Sequence, residues 1–142
     1  MKTLLLTHLL IGMILFSCRS RPVDPETYSE AKIKFGSGGG FTGYYTHYQL
    51  LDNGDLFMQK DPDTTMQHIV HLKKKLYKPI FEHLTEMDST ALSYNNPGNM
   101  TQYLEVQQGD SLYHAAFAIQ DTTAPESLKD MYQQLMNLVP KE

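Results

Sequence analysis

Residues 35–43, FGSGGGFTG, run directly into YYTHY at residues 44–48, and the reading of this junction decides the fold. Residues 38–43 satisfy the spacing GxGxxG. A dinucleotide-binding turn of that spacing must open a helix, because the helix N-terminus carries the pyrophosphate. Tyr44, Tyr45, Thr46, His47 and Tyr48 are instead residues that favour strands. The glycines therefore join strand to strand, and the dinucleotide reading fails on context. A kinase-type glycine loop does lie between strands, but it needs a strand lysine, an HRD and a DFG. Neither motif occurs, and the Gly-Lys-Ser/Thr of a phosphate loop is also missing. Glycines at such a connection allow positive φ and a tight crossing. Ser37, Gly38, Gly39, Gly40, Phe41, Thr42 and Gly43 form the first candidate binding loop, with Phe41 either displayed or folded back onto the core.

Outward from this junction the pattern is strands, then a helix, twice. Residues 31–35 (AKIKF) alternate, and residues 44–51 (YYTHYQLL) form the next strand. Asn53-Gly54 is a strong hairpin signal, with a return strand at residues 56–60. A two-residue turn there sets Leu51 opposite Leu56 and Leu50 opposite Phe57, with Tyr48, Leu50 and Phe57 inward. Residues 68–72 (HIVHL) form a brief strand, whose odd spacing places His68 and His71 on opposite faces and argues against a shared metal. Leu76, Ile80, Leu84 and Met87, with Tyr77 and Phe81, have helical spacing, and Pro79 places the helix start or a kink near Tyr77.

Asn95, Asn96, Pro97, Gly98 and Asn99 form a second candidate loop. A second hairpin turns at Gln108-Gly109, with Leu104, Val106, Tyr113, Ala115, Phe117 and Ile119 on its core face and Tyr103, Glu105 and His114 on the other. Thr123 to Glu126 has the form of a capping box ahead of an apolar helical stripe of Leu128, Met131, Tyr132, Leu135, Leu138 and Val139. The order βββ(β)αββα predicts an α+β domain, an antiparallel sheet of about five to six strands with two helices packed on one face.

The chain begins MKTLLLTHLLIGMILFSC. Lys2 and the apolar run at residues 4–16 have the build of a secretory leader, shorter than the roughly 20 residues of a spanning helix. Leu15-Phe16-Ser17-Cys18 resembles the bacterial lipobox. That resemblance implies a signal peptide at residues 1–17 and lipidation of Cys18, so that acyl chains attach the protein to a membrane. Arg19, rather than aspartate, follows the cysteine, which by the same resemblance favours the outer membrane of a Gram-negative envelope. Residues 18–30, with Pro22 and Pro25, read as the lipidated cysteine and a flexible tether reaching about 40 Å when extended. Residues 31–142 then form a single domain.

Composition removes several chemistries. Cys18 is the only cysteine, so intrachain disulfides, thiol catalysis and cysteine-ligated zinc are excluded. Twelve Lys and Arg against sixteen Asp and Glu give a formal charge of −4, without the concentrated basic footprint of a nucleic-acid binder. The short cluster Lys73-Lys74-Lys75 reads as a solvated helix start. GxSxG does not occur. Ser37 with His47 or His114 lacks an acid placed behind the histidine. No cofactor, resident metal or catalytic residue is expected, and the chain is read as a non-enzyme. Tyr44, Tyr45, Tyr48 and Tyr103 offer an aromatic surface for sugar or peptide, or else pack within the sheet.

The glycine stretch, the Tyr/Leu strand after it, Asn53-Gly54 and the later Asn-Pro-Gly-Asn resemble small uncharacterised envelope lipoproteins, a likeness that implies no activity. Gly39-Gly40-Phe41-Thr42-Gly43 is also similar to the GGFAG stretch of emfourin-type inhibitors of thermolysin-like metalloproteases, small α+β domains themselves. That similarity implies protease inhibition. The expected function is a lipid-anchored, non-catalytic module that binds a protein or peptide partner. A structural lipoprotein docking into an envelope complex is the alternative.

Overall fold

The computed structural model describes residues 23–141; Cys18 and the expected leader at residues 1–17 lie outside the described residues. In chain order the elements are β1 (Lys32–Gly39), β2 (Tyr44–Leu51), β3 (Asp55–Lys60), β4 (Gln67–His71), α1 (Lys74–Glu86), α2 (Ser89–Leu92), β5 (Asn95–Asn96), β6 (Met100–Gln108), β7 (Ser111–Ala118) and α3 (Glu126–Met136). The strands form one sheet ordered β4-β3-β2-β1-β6-β7-β5. The α+β class is as expected, with two differences. The sheet has seven strands and is mixed, because β5 pairs parallel to β7 through Asn95 and Asn96. A third helix, the four-residue α2, is capped by the Asp88 side chain, which accepts from the Thr90 N–H. Both additions are too short to leave a hydrophobic period. Among the described residues, no helix is long and apolar enough to cross a membrane.

Alternation along β1 sorts the two faces of the sheet. Ile33 and Phe35 are fully buried and pair with Leu50 and Tyr48 on one side and Val106 and Leu104 on the other. Leu56, Ala115 and Phe117 extend this face, which packs against Ile80 and Leu84 of α1, Leu92 of α2 and Leu128, Met131, Tyr132 and Leu135 of α3. Burying each large aliphatic side chain here contributes about 1.5–3 kcal/mol. Ile119 departs from the expected core set: it lies past the end of β7 and is half exposed.

The hairpin between β2 and β3 differs in register from the two-residue turn expected. Residues 52–54 form a three-residue connection in which Gly54 takes φ 95°. Leu50 therefore faces Leu56, and Phe57 faces Gln49. Because strand faces alternate, this shift sends Phe57 to the outer face, away from Tyr48 and Leu50.

That outer face is where residues 23–30 run. Pro25 is buried there, and its carbonyl accepts from Gln49 Nε2. The Glu26 carbonyl accepts from Lys32 Nζ at 3.3 Å, and the Tyr28 hydroxyl donates to Asp52. Leu51 and Phe57 are buried on this face, outside the main core. The described part of the stretch expected as tether is thus a strap laid on the sheet.

Two helix starts also differ from expectation. Helix α1 begins at Lys74 and holds Pro79 inside it. The turn left without a proline N–H carries exposed Lys74 and Lys75, so water can solvate the freed carbonyl. This phase turns Ile80 and Leu84 inward and leaves Leu76 exposed. The capping box at Thr123 does not form. Asp121 Oδ1 accepts from the Thr123 hydroxyl and N–H, both at 2.7 Å, and from the Ala124 N–H at 3.2 Å. Thr123 is thereby committed to Asp121, and α3 starts after Pro125 without a side-chain cap.

Candidate functional site

The glycine stretch divides between a strand and a turn. Ser37, Gly38 and Gly39 belong to β1, and only Gly40, Phe41, Thr42 and Gly43 make the connection to β2. Gly36 and Gly38 lie in β1 because β2 comes too close for a side chain. A Cβ on Gly36 would stand 2.1 Å from the Thr46 carbonyl oxygen and 3.1 Å from Tyr103 Cε1. On Gly38 it would stand 2.3 Å from the Tyr44 carbonyl oxygen and 2.5 Å from Tyr45 Cγ. The strand glycines are a floor beneath Tyr45 and Tyr103.

At the tip, Phe41 is fully exposed, with a relative accessibility of 108%. It is displayed, not folded back. The base of the turn is braced: the Gly40 N–H donates to the Asn99 carbonyl at 2.7 Å, and the Tyr44 N–H donates to Thr42 Oγ1 at 3.3 Å. The first of these bonds joins the two loops singled out in the sequence. In the second loop, Thr101 Oγ1 donates to the Gly98 carbonyl at 2.9 Å and accepts from the Gly98 N–H at 3.1 Å. Asn96 Nδ2 donates to Asp121 Oδ2, and so does the Tyr94 hydroxyl, each at 2.8 Å. Bonds from Thr123, Tyr94 and Asn96 hold the Asp121 carboxyl well below the usual carboxylate range.

This end of the sheet is also its apolar end. Among the described residues, six large hydrophobic side chains are exposed, and Phe41, Tyr44, Met100 and Ile119 are four of them. Gly39 pairs with both Tyr44 and Met100, and the Ile119 N–H donates to the Met100 carbonyl at 3.1 Å. Asn99, Met100 and Ile119 help to line a cavity of about 260 Å³ beside the tip. Met100 and Ile119 were not legible as site residues, since only strand pairing brings them next to Phe41.

Ser37 takes no part in the tip. It shares the helix-side face with Ile33 and Phe35 and is hydrogen-bonded with Tyr132 of α3, whose hydroxyl burial pushes up. His47 and His114 occupy the outer face, so no serine–histidine pair forms. His47 instead has Nδ1 2.6 Å from the Tyr103 hydroxyl and Nε2 3.5 Å from Asp61 Oδ1.

His68 and His71 do not point apart as their spacing predicts. A bulge between β3 and β4 shifts the register. His68 Nε2 and His71 Nδ1 then lie 3.1 and 2.8 Å from the same oxygen, Asp55 Oδ1. Among the described residues, no group of three or more His, Cys, Asp or Glu is arranged to hold a metal ion.

The assembled tip can bury apolar surface against a partner, and it holds no nucleophile with a base beside it. No protein-family model matches the chain, and no curated protein matches it.

Proposed function

We propose that the protein is a lipid-anchored, non-catalytic envelope component whose folded domain binds a protein or peptide partner through the tip of the β1–β2 hairpin. The observation that supports this most is the complete exposure of Phe41 on a turn braced by the Gly40–Asn99 bond. An exposed aromatic ring has a large apolar surface still to bury. One held out beside Tyr44, Met100 and Ile119 is suited to insert into a partner's pocket, as buried aromatic anchors do. The membrane attachment is the lipid proposed at Cys18, and outer-membrane placement follows from the lipobox resemblance.

Inhibition of a thermolysin-like metalloprotease is the specific form to test. Protein beginning at Val23, which keeps the strap, is expected to inhibit such a protease, and Phe41→Ala to weaken it at least tenfold. Absence of inhibition at about 100 μM, an affinity too weak for a dedicated inhibitor, removes that form. A second reading, assembly into an envelope complex, is favoured by β4, which forms one edge of the sheet. It predicts envelope partners that are lost on changes to β4 and retained in Phe41→Ala.

A further inference from the structure

A second concave surface lies on the outer face of the sheet, around the Tyr45 and Tyr103 rings and the histidines beside them. The groove has a volume of about 410 Å³, with Tyr45, His47, Tyr103 and His114 along it and Asn95 and Pro97 forming one wall. The Tyr45 and His47 rings stack at 5.7 Å, and Tyr103 and His114 lie nearly parallel at 6.3 Å. Of the strands beneath it, β1, β2 and β6 are each hydrogen-bonded on both sides, and β7, which carries His114, pairs with β6 and, at Ala116 and Phe117, with β5. Under the Tyr45, His47 and Tyr103 rings no ladder is open to an added strand, so an occupant there is recognised through ring faces and charge.

Carboxylates flank the groove at both sides. Asp61 accepts from the Tyr45 N–H at 2.9 Å and faces His47 Nε2. Glu105 Oε2 lies 3.9 Å from His114 Nδ1. Lys34 stands across from Glu105 on the same face. Burial, followed by Glu105 and with Asp61 adding, pushes the Tyr103 hydroxyl well above its ordinary range, in keeping with a negative field over the ring.

We propose that this groove binds a cationic side chain, the guanidinium or ammonium group of an arginine or lysine presented by a peptide ligand. Electron-rich ring faces attract a cation, and arginine adds planar stacking on the ring. The Asp61 carboxylate supplies the complementary charge. Nothing in this site depends on the Phe41 tip, so either surface can fail without the other.

The test is a titration of the purified protein, followed by NMR, with Nα-acetyl-arginine amide, Nα-acetyl-lysine amide and the uncharged Nα-acetyl-citrulline amide. At least one of the two cations is expected to shift Tyr45, Tyr103 and His114 saturably in the millimolar range, while the citrulline amide does not. Asp61→Asn keeps an acceptor for the Tyr45 N–H and loses the charge. It is expected to weaken cation binding by up to about fivefold, the span of an exposed ion pair, as is Glu105→Gln to a smaller degree. Phe41→Ala is expected to leave the titration unchanged. Equal shifts with the citrulline amide, no shifts with either cation, or unaltered binding in both carboxylate variants would overturn the proposal.

Discussion

Gly38 lies directly beneath Tyr45: a Cβ added to the glycine would stand 2.5 Å from the ring's Cγ and 2.3 Å from the neighbouring Tyr44 carbonyl oxygen. The backbone oxygen cannot move without breaking the β1–β2 pairing, and Gly36 meets the same obstacle at Thr46. Gly36→Ala and Gly38→Ala are each expected to cost about 2–3 kcal/mol, at the upper end of overpacking penalties. Gly43 has open space around it and a φ of 67°, so Gly43→Ala costs only the left-handed backbone penalty of about 1–2 kcal/mol. Urea unfolding of the three variants checks the order. If Gly36→Ala and Gly38→Ala cost no more than Gly43→Ala, the close approach of β1 to β2 is not what these glycines serve.

The same glycines show where sequence patterning stops. The strand-to-strand context of residues 35–48 was readable, because Tyr44 to Tyr48 cannot start a helix as readily as they extend a strand. The inward set Leu104, Val106, Tyr113, Ala115 and Phe117 followed from alternation and is the observed core face. Alternation could not say that Gly36 to Gly39 continue the strand, since a glycine adds no side chain to the pattern. Local chemistry also misled at Thr123, whose capping signature is real but whose hydroxyl is claimed by Asp121. At the site, Phe41 was legible as a residue and not as an orientation. Its neighbours Met100 and Ile119 are far from it in sequence and adjoin it through pairing across β1 and β6.

The strap makes a second prediction. Gln49 is fully buried in the sheet and donates to the Pro25 carbonyl, while Leu51 and Phe57 are buried beside it on the same face. Protein beginning at Ala31 uncovers this face and leaves the Gln49 amide without its acceptor. It is expected to be less stable than protein beginning at Val23 by about 1–3 kcal/mol, the loss of one buried side chain's worth of apolar cover. Equal denaturation midpoints for the two lengths would show that residues 23–30 rest on the sheet without stabilising it.

Acid should loosen the β3–β4 edge first. Burial works against the Asp55 carboxylate, but bonds from His71, His68 and Asn53 outweigh it and hold the group below the ordinary aspartate range. A carboxyl lowered in the folded state stabilises fully above its unfolded value, about 3.9, and that contribution is lost as pH falls through the lower folded value. Asp121 is lowered as well and adds in the same direction. Thermal stability is therefore expected to decline below about pH 4, with a shallower decline in Asp55→Asn. An acid limb of the same steepness in the variant would remove Asp55 from the account.

Phe41 separates stability from binding. Its side chain is fully exposed, so Phe41→Ala removes no packing from the folded state and should change stability by less than about 0.5 kcal/mol. The brace below it is made by backbone atoms, Gly40 N–H to Asn99 carbonyl, and survives the substitution. A partner that buries this ring would lose an aromatic anchor, for which truncation costs about 2 kcal/mol or more, roughly thirtyfold in affinity. Phe41→Tyr keeps the ring and is expected to retain most of the binding if the hydroxyl reaches the pocket rim. Measuring unfolding and partner affinity on the same preparations distinguishes the two roles. A large stability loss in Phe41→Ala would place the ring in the fold, whereas unchanged affinity with unchanged stability would remove the tip from the binding surface.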